Sequence, residues 1–153
     1  MYSLPMWVSF INLKNVININ LECIKEAKSY YEGNNLRIDV IAELNQKYSD
    51  YYVLYTDGSK CKDGVGAAYY DPCAKYCQMF KLHHQMSIMS AELCAILKAI
   101  TYYLISNLRH KKVAIFTDSR SSLLHINKCL SGSCGLFVAY EIIDKINKLI
   151  SIG

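Results

Sequence analysis

Two segments of the sequence place an aspartate directly after a run of strand-forming residues. Tyr55-Thr56-Asp57-Gly58-Ser59 and Phe116-Thr117-Asp118-Ser119-Arg120 share the order aromatic, threonine, aspartate. Strand ends are where open α/β sheets form their sites. If the two strands are parallel neighbours, Asp57 and Asp118 lie side by side. Their repulsion is then relieved either by a proton on one of them or by a divalent cation between them.

A third carboxylate belongs to the segment between these two strands. Residues Ser90–Asn107 show apolar side chains at helical spacing, with Ser90 as the expected N-cap and Glu92 in the first turn. Three hard oxygen donors suit Mg²⁺ or Mn²⁺ and do not suit zinc. The competing interpretation is that each aspartate merely caps a turn or a helix. The repeated Thr-Asp pattern, together with Glu92, favours a metal site.

The elements that position these residues follow from the periodicity of the apolar side chains. Strands are predicted at Tyr51–Thr56, Gly64–Tyr70, Lys75–Leu82 and Lys112–Thr117, and helices at Ser90–Asn107, about 118–130 and Phe137–Ile150. Short turns make the first three strands an antiparallel meander. The helix before the fourth strand calls for a crossover, which makes that strand parallel to one of the first three. The sequence therefore predicts a mixed α/β sheet.

The first 50 residues differ in charge from the rest of the chain. They hold five lysine and arginine residues against six acidic ones, whereas residues 51–153 hold twelve against seven, a surplus of five. We therefore divide the chain into a leader at 1–50, with helices predicted at 20–31 and within 36–48, and a basic domain at 51–153. The surplus suits a polyanionic partner, and it suits an ordinary solvated surface about as well.

The composition excludes several classes of protein. With 52% hydrophobic and 20% charged residues, the 153-residue chain can bury a core and is not a disordered chain. No stretch reaches the roughly 20 unbroken apolar residues of a membrane span, and no signal-peptide pattern opens the sequence. Seven irregularly spaced cysteines fit a reduced compartment, the nucleus or the cytoplasm. The weaker alternative is a zinc site from Cys73, Cys77, His83 and His84, whose spacing matches no common zinc pattern.

Tyrosine is unusually frequent, with thirteen residues that include adjacent pairs at 30–31, 51–52, 69–70 and 102–103. Tyrosine rings can stack on nucleobases. The simpler expectation is that most of these rings pack within the sheet and helix faces.

Four motifs in this order resemble a ribonuclease H domain: Tyr55–Lys60, Gly64–Ala68, Ser90–Leu93 and Ile115–Leu123. The likeness is greatest to the ribonuclease H domain linked to the reverse transcriptase of insect-type non-LTR retrotransposons. It covers about residues 51–150, and the leader resembles the connection that precedes this domain in such polyproteins. The resemblance implies a ribonuclease H-like fold and a nuclease that cuts the RNA strand of RNA–DNA hybrids.

The resemblance also implies roles for particular residues. Asp57 would contact both ions of a two-metal site, and Glu92 and Asp118 would each hold one of them. The backbone around Gly58 and Ser59 would approach the RNA strand, whose 2′-hydroxyls distinguish it from DNA. Five positions match those that contact nucleic acid: Gly58, Ser59, Ser87, Ser90 and Arg120.

One departure from the family concerns its C-terminal part. The family continues with a fifth strand and a last helix that carries a fourth carboxylate, whereas this sequence stops at Gly153. We therefore expect a truncated domain with impaired activity. One alternative is an inactive retrotransposon remnant that only binds nucleic acid. Another is a transposase or integrase with an acidic triad, which the Thr-Asp-Gly-Ser and Ser-Ala-Glu-Leu motifs disfavour.

Overall fold

The computed structural model describes residues 42–106 and 112–152. Residues 42–47 are helical and are called α1. The elements that follow are β1 (Tyr52–Cys61), β2 (Gly64–Asp71), β3 (Tyr76–Leu82), α2 (Ile88–Ile105), β4 (Val113–Thr117), α3 (Arg120–Leu130) and α4 (Phe137–Ile152). The predicted order of strands and helices is confirmed. The helix predicted at 20–31 lies outside the described residues.

The strands form one four-stranded sheet in the order β3-β2-β1-β4. β1 pairs with β2 and β2 with β3 in the antiparallel sense, whereas β4 pairs with β1 in the parallel sense. The α2 helix supplies the crossover that a parallel β1–β4 pair requires. The prediction of a mixed sheet, with three antiparallel strands and a parallel fourth, is therefore confirmed.

The core lies on the face of the sheet that α2 covers. Buried and more exposed residues alternate along β1, so that Tyr52, Leu54 and Thr56 point toward α2. On its other side α2 contacts α4, and the apolar residues of α2, α3 and α4 form a second cluster around Ile142. By length and composition alone α2 could cross a membrane. Its packing between the sheet and α4 is also what the core helix of a globular domain shows, so this likeness is weak evidence for a span.

The opposite face of the sheet is only partly covered, and we call it the open face. Its residues include Tyr55, Asp57, Ala68, Tyr70, Cys77 and Met79, which alternate with the buried set along β1, β2 and β3. Near β4, the ring of Tyr48 lies edge-on against Phe116, with 5.4 Å between ring centroids. Phe116 in turn contacts Tyr55 at 5.5 Å. The segment before β1 thus covers the β4 side of the open face and leaves the Tyr70 side accessible.

Asp71, the last residue of β2, is a fully buried carboxylate. The hydroxyl groups of Tyr52 and Tyr102 donate hydrogen bonds to its Oδ2 at 2.5 and 2.7 Å, and the backbone N–H of Ala74 donates to Oδ1 at 3.1 Å. Burial alone would raise the pKa of Asp71, but these donors outweigh it and the pKa is lowered. Asp71 therefore ties the start of β1 and the end of α2 to the end of β2.

Contacts with α2 and α3 decide which residues of α4 are buried. Phe137 is 53% exposed, whereas four residues of α4 are buried: Ala139, Tyr140, Ile142 and Ile143. Tyr140 reaches back to donate a hydrogen bond to the carbonyl oxygen of Ser133 at 3.0 Å. Packing against α2 and α3 therefore leaves Phe137 outside the core.

Candidate active site

The first aspartate lies within a strand and not at its end, contrary to the prediction. β1 continues past Thr56 because its antiparallel pairing with β2 continues from Asp57↔Ala68 to Cys61↔Gly64. The β1–β4 pair ends with Thr56 beside Thr117. Since an aspartate follows each of these threonines in the chain, this register brings Asp57 and Asp118 together. The predicted neighbourhood of the two carboxylates is therefore confirmed.

The start of α2 also differs from the prediction. Ser87, and not Ser90, is the N-cap, and its Oγ accepts a hydrogen bond from the backbone N–H of Ser90 at 3.1 Å. The helix begins at Ile88, so Glu92 lies in the second turn and not in the first. Glu92 is therefore not in the first turn, where the helix dipole would favour a negative charge.

Close packing between β1 and α2 fixes the position of Glu92. A Cβ atom at Gly58 would lie 2.6 Å from the backbone nitrogen of Glu92 and 2.8 Å from the carbonyl carbon of Ala91. Only glycine allows the strand and the helix to approach this closely. The backbone N–H of Gly58 also donates a hydrogen bond to the Glu92 carboxylate. Gly58 therefore allows Glu92 to lie close to the two aspartates.

The three predicted carboxylates form one cluster. One oxygen from each of Asp57, Glu92 and Asp118 lies within 4.8 Å of the others. The two aspartates are exposed, whereas Glu92 is only 7% exposed. Burial, followed by the charges of Asp118 and Asp57, raises the pKa of Glu92 to about 7. The three side chains therefore resist being ionised together in the absence of a cation.

The cluster suits a hard divalent cation. The Oε2 atom of Glu92 is buried and has no hydrogen-bond partner, which is unfavourable unless a ligand completes its environment. Opposite ligands of one Mg²⁺ ion lie about 4.2 Å apart, close to the 4.8 Å that bounds the carboxylate separations. A small decrease in the distances between the carboxylate oxygens would allow one ion to contact all three side chains. The donor set is oxygen only, which is the ligand type that hard divalent cations prefer.

The alternative zinc site does not form. Among residues 42–106 and 112–152, the acidic cluster is the one group of potential metal ligands, and Cys73, Cys77, His83 and His84 do not assemble into another. The rings of His83 and His84 stack on each other instead, at 4.4 Å between centroids. The six cysteines of the described chain are free thiols.

The five positions expected to contact nucleic acid differ in accessibility. Ser59, Ser87 and Arg120 are exposed, Ser90 is half-buried, and Gly58 is buried beneath α2. The hydroxyl groups of Ser87 and Ser90 are 2.9 Å apart and bond to each other. Gly58 and the two serines near the start of α2 therefore have structural functions that the sequence motifs do not reveal. Ser59 and Arg120 keep their side chains open to a ligand.

Sequence reasoning missed Lys60, which lies on β1 beyond the aspartate. Its Nζ donates a hydrogen bond to the carbonyl oxygen of Met86 at 2.9 Å. The contact ties β1 to the loop that enters α2, close to the Ser87 cap. Lys60 belongs to the Tyr55–Lys60 motif, but its partner is a backbone atom that no sequence pattern specifies.

A mixed sheet with a β1–α2–β4 crossover, and an acidic cluster formed by β1, α2 and the residue after β4, define the class of protein. The family model described as RNase H, for ribonuclease H, matches residues 49–147. The chain therefore belongs to the ribonuclease H family, whose members bind RNA–DNA hybrids, generally with divalent metal ions, and hydrolyse RNA in them. A search of curated proteins gave no significant match.

Proposed function

We propose that this chain is a ribonuclease that hydrolyses the RNA strand of RNA–DNA hybrids and that it holds Mg²⁺ or Mn²⁺ at Asp57, Glu92 and Asp118. The acidic cluster carries this proposal. Glu92 has a buried, unpartnered Oε2, and the three carboxylates lie within 4.8 Å of one another. Family membership adds the substrate class, an RNA–DNA hybrid.

Each carboxylate has a separate task in the proposed mechanism. Two bound ions would activate a water molecule for in-line attack and stabilise the leaving oxygen. Asp57 would contact both ions, while Glu92 and Asp118 would each hold one. Because the pKa of Glu92 is about 7, its side chain must lose a proton before it can bind a cation. Metal affinity is therefore expected to rise as the pH rises through 7.

We further propose that cleavage by the 153-residue chain is weak. Three carboxylates supply at most three negative charges against the four positive charges of two divalent ions, and ligand charge strongly affects the affinity for such ions. The second ion would be held loosely, and the rate would depend on metal concentration over a wide range. By the resemblance of its motifs, the domain would work inside the cell, in the nucleus or cytoplasm, as part of a longer reverse transcriptase polyprotein.

Strand-specific labelling tests the function. An RNA–DNA hybrid is prepared with either the RNA or the DNA strand labelled and is incubated with Mg²⁺ or Mn²⁺. We expect slow, metal-dependent cleavage of the RNA strand alone, abolished by Asp57→Asn. Asp63→Asn, in the exposed β1–β2 turn, is the matched control and should cut at the wild-type rate. Hybrid binding without cleavage at saturating Mn²⁺ would support the remnant that only binds nucleic acid.

A further inference from the structure

The loop that joins α3 to α4, residues 131–136, is attached to the domain differently in its two halves. In the first half, the backbone N–H groups of Ser131 and Ser133 both donate hydrogen bonds to the carbonyl oxygen of Lys128 at 3.1 Å. Gly132 between them has a φ of 88°, the left-handed conformation that commonly ends a helix. The first half is therefore a backbone cap on α3 and involves no group that titrates.

The second half of the loop depends on a histidine. The backbone N–H of Leu136 donates a hydrogen bond to Nε2 of His125, in the middle of α3, at 3.0 Å. The carbonyl oxygen of Leu136 in turn accepts from the N–H of Ala139, in the first turn of α4, at 3.0 Å. Because Nε2 accepts, the neutral ring of His125 carries its hydrogen on Nδ1. The half-buried imidazole thus fixes the residue at which α4 starts.

The same part of the loop covers a buried thiol. Gly135 is buried, and a Cβ atom at this position would overlap Sγ of Cys129 and lie 3.0 Å from Nε2 of His125. The Cys129 side chain is fully buried, whereas Cys134, the residue before Gly135, is exposed. The loop therefore separates Cys129 from the solvent, and the imidazole lies at the border of this cover.

The surroundings of His125 offer no negative charge to an imidazolium. Burial raises the pKa of Cys129 on α3 and of Tyr140 on α4, so that both are uncharged near pH 7. The other titratable groups of the adjoining elements point elsewhere. Arg120, Lys128 and Cys134 are exposed, Glu92 of α2 belongs to the acidic cluster, and Cys94 of α2 lies toward Glu141 of α4.

We propose that His125 is a pH-sensitive latch, which holds the Leu136 end of the loop over Cys129 when neutral and releases it when protonated. Protonation places a hydrogen on Nε2, so that both ring nitrogens become donors. Two donors then face each other where the Leu136 N–H had an acceptor. Histidine ordinarily changes its charge between about pH 8 and pH 5. The closed loop is therefore expected at the upper end of this range and the open loop, with an accessible Cys129, at the lower end.

Hydrogen exchange of the Leu136 amide, followed by NMR at pH 8 and pH 5, tests the latch. Each rate is divided by the intrinsic exchange rate at the same pH. We expect the protection of Leu136 to fall about tenfold at pH 5, within the range of one net hydrogen bond. The amide of Ile146, in the interior of α4, should keep its protection, since the domain stays folded.

Two variants separate His125 from other titrating groups. His125→Gln keeps an uncharged acceptor oxygen about as far from the backbone as Nε2, and its Leu136 protection should be the same at both pH values. His84→Gln changes an exposed histidine of the loop before α2 and is the matched control, which should keep the wild-type pH dependence. If His125→Gln does not fold, the wild type decides: the ring signals of His125 and the protection of Leu136 must change with one midpoint.

The reactivity of Cys129 tests the opening of the cover. The protein is treated with dithiodipyridine, a disulfide that reacts with thiols in acid as well, and mass spectrometry gives the labelling of Cys129 relative to that of Cys134. This ratio should rise about tenfold from pH 8 to pH 5 in the wild type, in step with the loss of Leu136 protection, and stay constant in His125→Gln. Four results would overturn the latch: unchanged protection of Leu136, an equal loss in His125→Gln, an unchanged labelling ratio, or a simultaneous loss of Ile146 protection, which indicates global unfolding.

Discussion

Replacing Glu92 with glutamine is expected to stabilise the metal-free protein while removing its response to Mg²⁺. Glu92 is almost fully buried beside Asp57 and Asp118, and these surroundings oppose its negative charge. Glutamine has nearly the same shape and cannot ionise. The substitution therefore removes the repulsion within the cluster and also removes a ligand from the proposed metal site.

The size of the effect follows from the pKa of Glu92, which is raised from 4.5 to about 7 in the folded protein. At 1.36 kcal/mol per pKa unit, this corresponds to about 3 kcal/mol. Because the unfolded chain loses the proton first, the folded state is penalised progressively between pH 4.5 and pH 7. The penalty is absent below this range and constant above it. The gain from Glu92→Gln should follow the same profile and reach roughly 1–3 kcal/mol, since the buried amide needs hydrogen-bond partners.

Urea unfolding at several pH values between 4 and 8, with EDTA present, measures this gain. Glu141→Gln, a glutamate on α4 outside the acidic cluster, is the matched control and should show no comparable pH-dependent gain. A second series at pH 8 with Mg²⁺ measures the stabilisation by metal. Occupancy at 100 times the dissociation constant stabilises a protein by about 2.7 kcal/mol. The wild type should show such a gain, and Glu92→Gln should show little or none.

Two results would contradict this reasoning. The first is a Glu92→Gln variant that is less stable than the wild type at pH 8, or whose advantage is the same at pH 4 and pH 8. In that case the charge of Glu92 is not opposed by its surroundings. The second is an undiminished response of the variant to Mg²⁺, which would remove Glu92 from the set of metal ligands.

Three further predictions concern other parts of the fold. Gly58→Ala should destabilise the protein by roughly 1–3 kcal/mol and weaken Mg²⁺ binding in calorimetry. Gly66→Ala, whose Cβ would meet other atoms only at 3.4 Å, should do neither. Equal effects of the two substitutions would contradict the close approach of β1 and α2 at Gly58. Asp71→Asn should lower stability at pH 7 by roughly 2 kcal/mol. Since the pKa of Asp71 is lowered, its contribution is lost as the pH falls below 4, and equal wild-type and variant stability at pH 7 would argue against this network. Among the described strands β4 pairs only with β1, and an apolar strand at the edge of a sheet invites the addition of another strand. Sedimentation should therefore show association of the protein that increases with its concentration. A monomer at all concentrations would contradict this expectation.

The carboxylates could be predicted from the sequence because their signals are local. Asp57 and Asp118 follow two similar runs of strand-forming residues, and the parallel arrangement needed to bring them together follows from the intervening helix. The observed register places Thr56 beside Thr117, which agrees with an alignment of the two Thr-Asp dipeptides. The fold class was predictable for the same reason, since short turns and one crossover permit few topologies.

The helix cap and the buried aspartate could not be predicted because tertiary contacts decide them. Ser87 and Ser90 are both residues that cap helices well, and the loop held by Lys60 precedes Ser87. Asp71 precedes a proline and is typical of a turn. Its burial depends on two tyrosine hydroxyls from distant parts of the chain. The sequence pattern shows the aspartate and the proline but not these donors.

The β1–β4 register has a consequence for the order in which the protein folds. Asp57 and Asp118 are far apart in the chain, and they meet only after α2 has crossed the sheet and β4 has paired with β1. Contacts this distant in sequence form late and slow the folding of a domain. During synthesis, a ribosome-bound chain that ends before β4 would carry Asp57 and Glu92 without Asp118. Binding of a cation by all three carboxylates would therefore require the completed crossover and could not guide the earlier folding of the β1–β2–β3 meander.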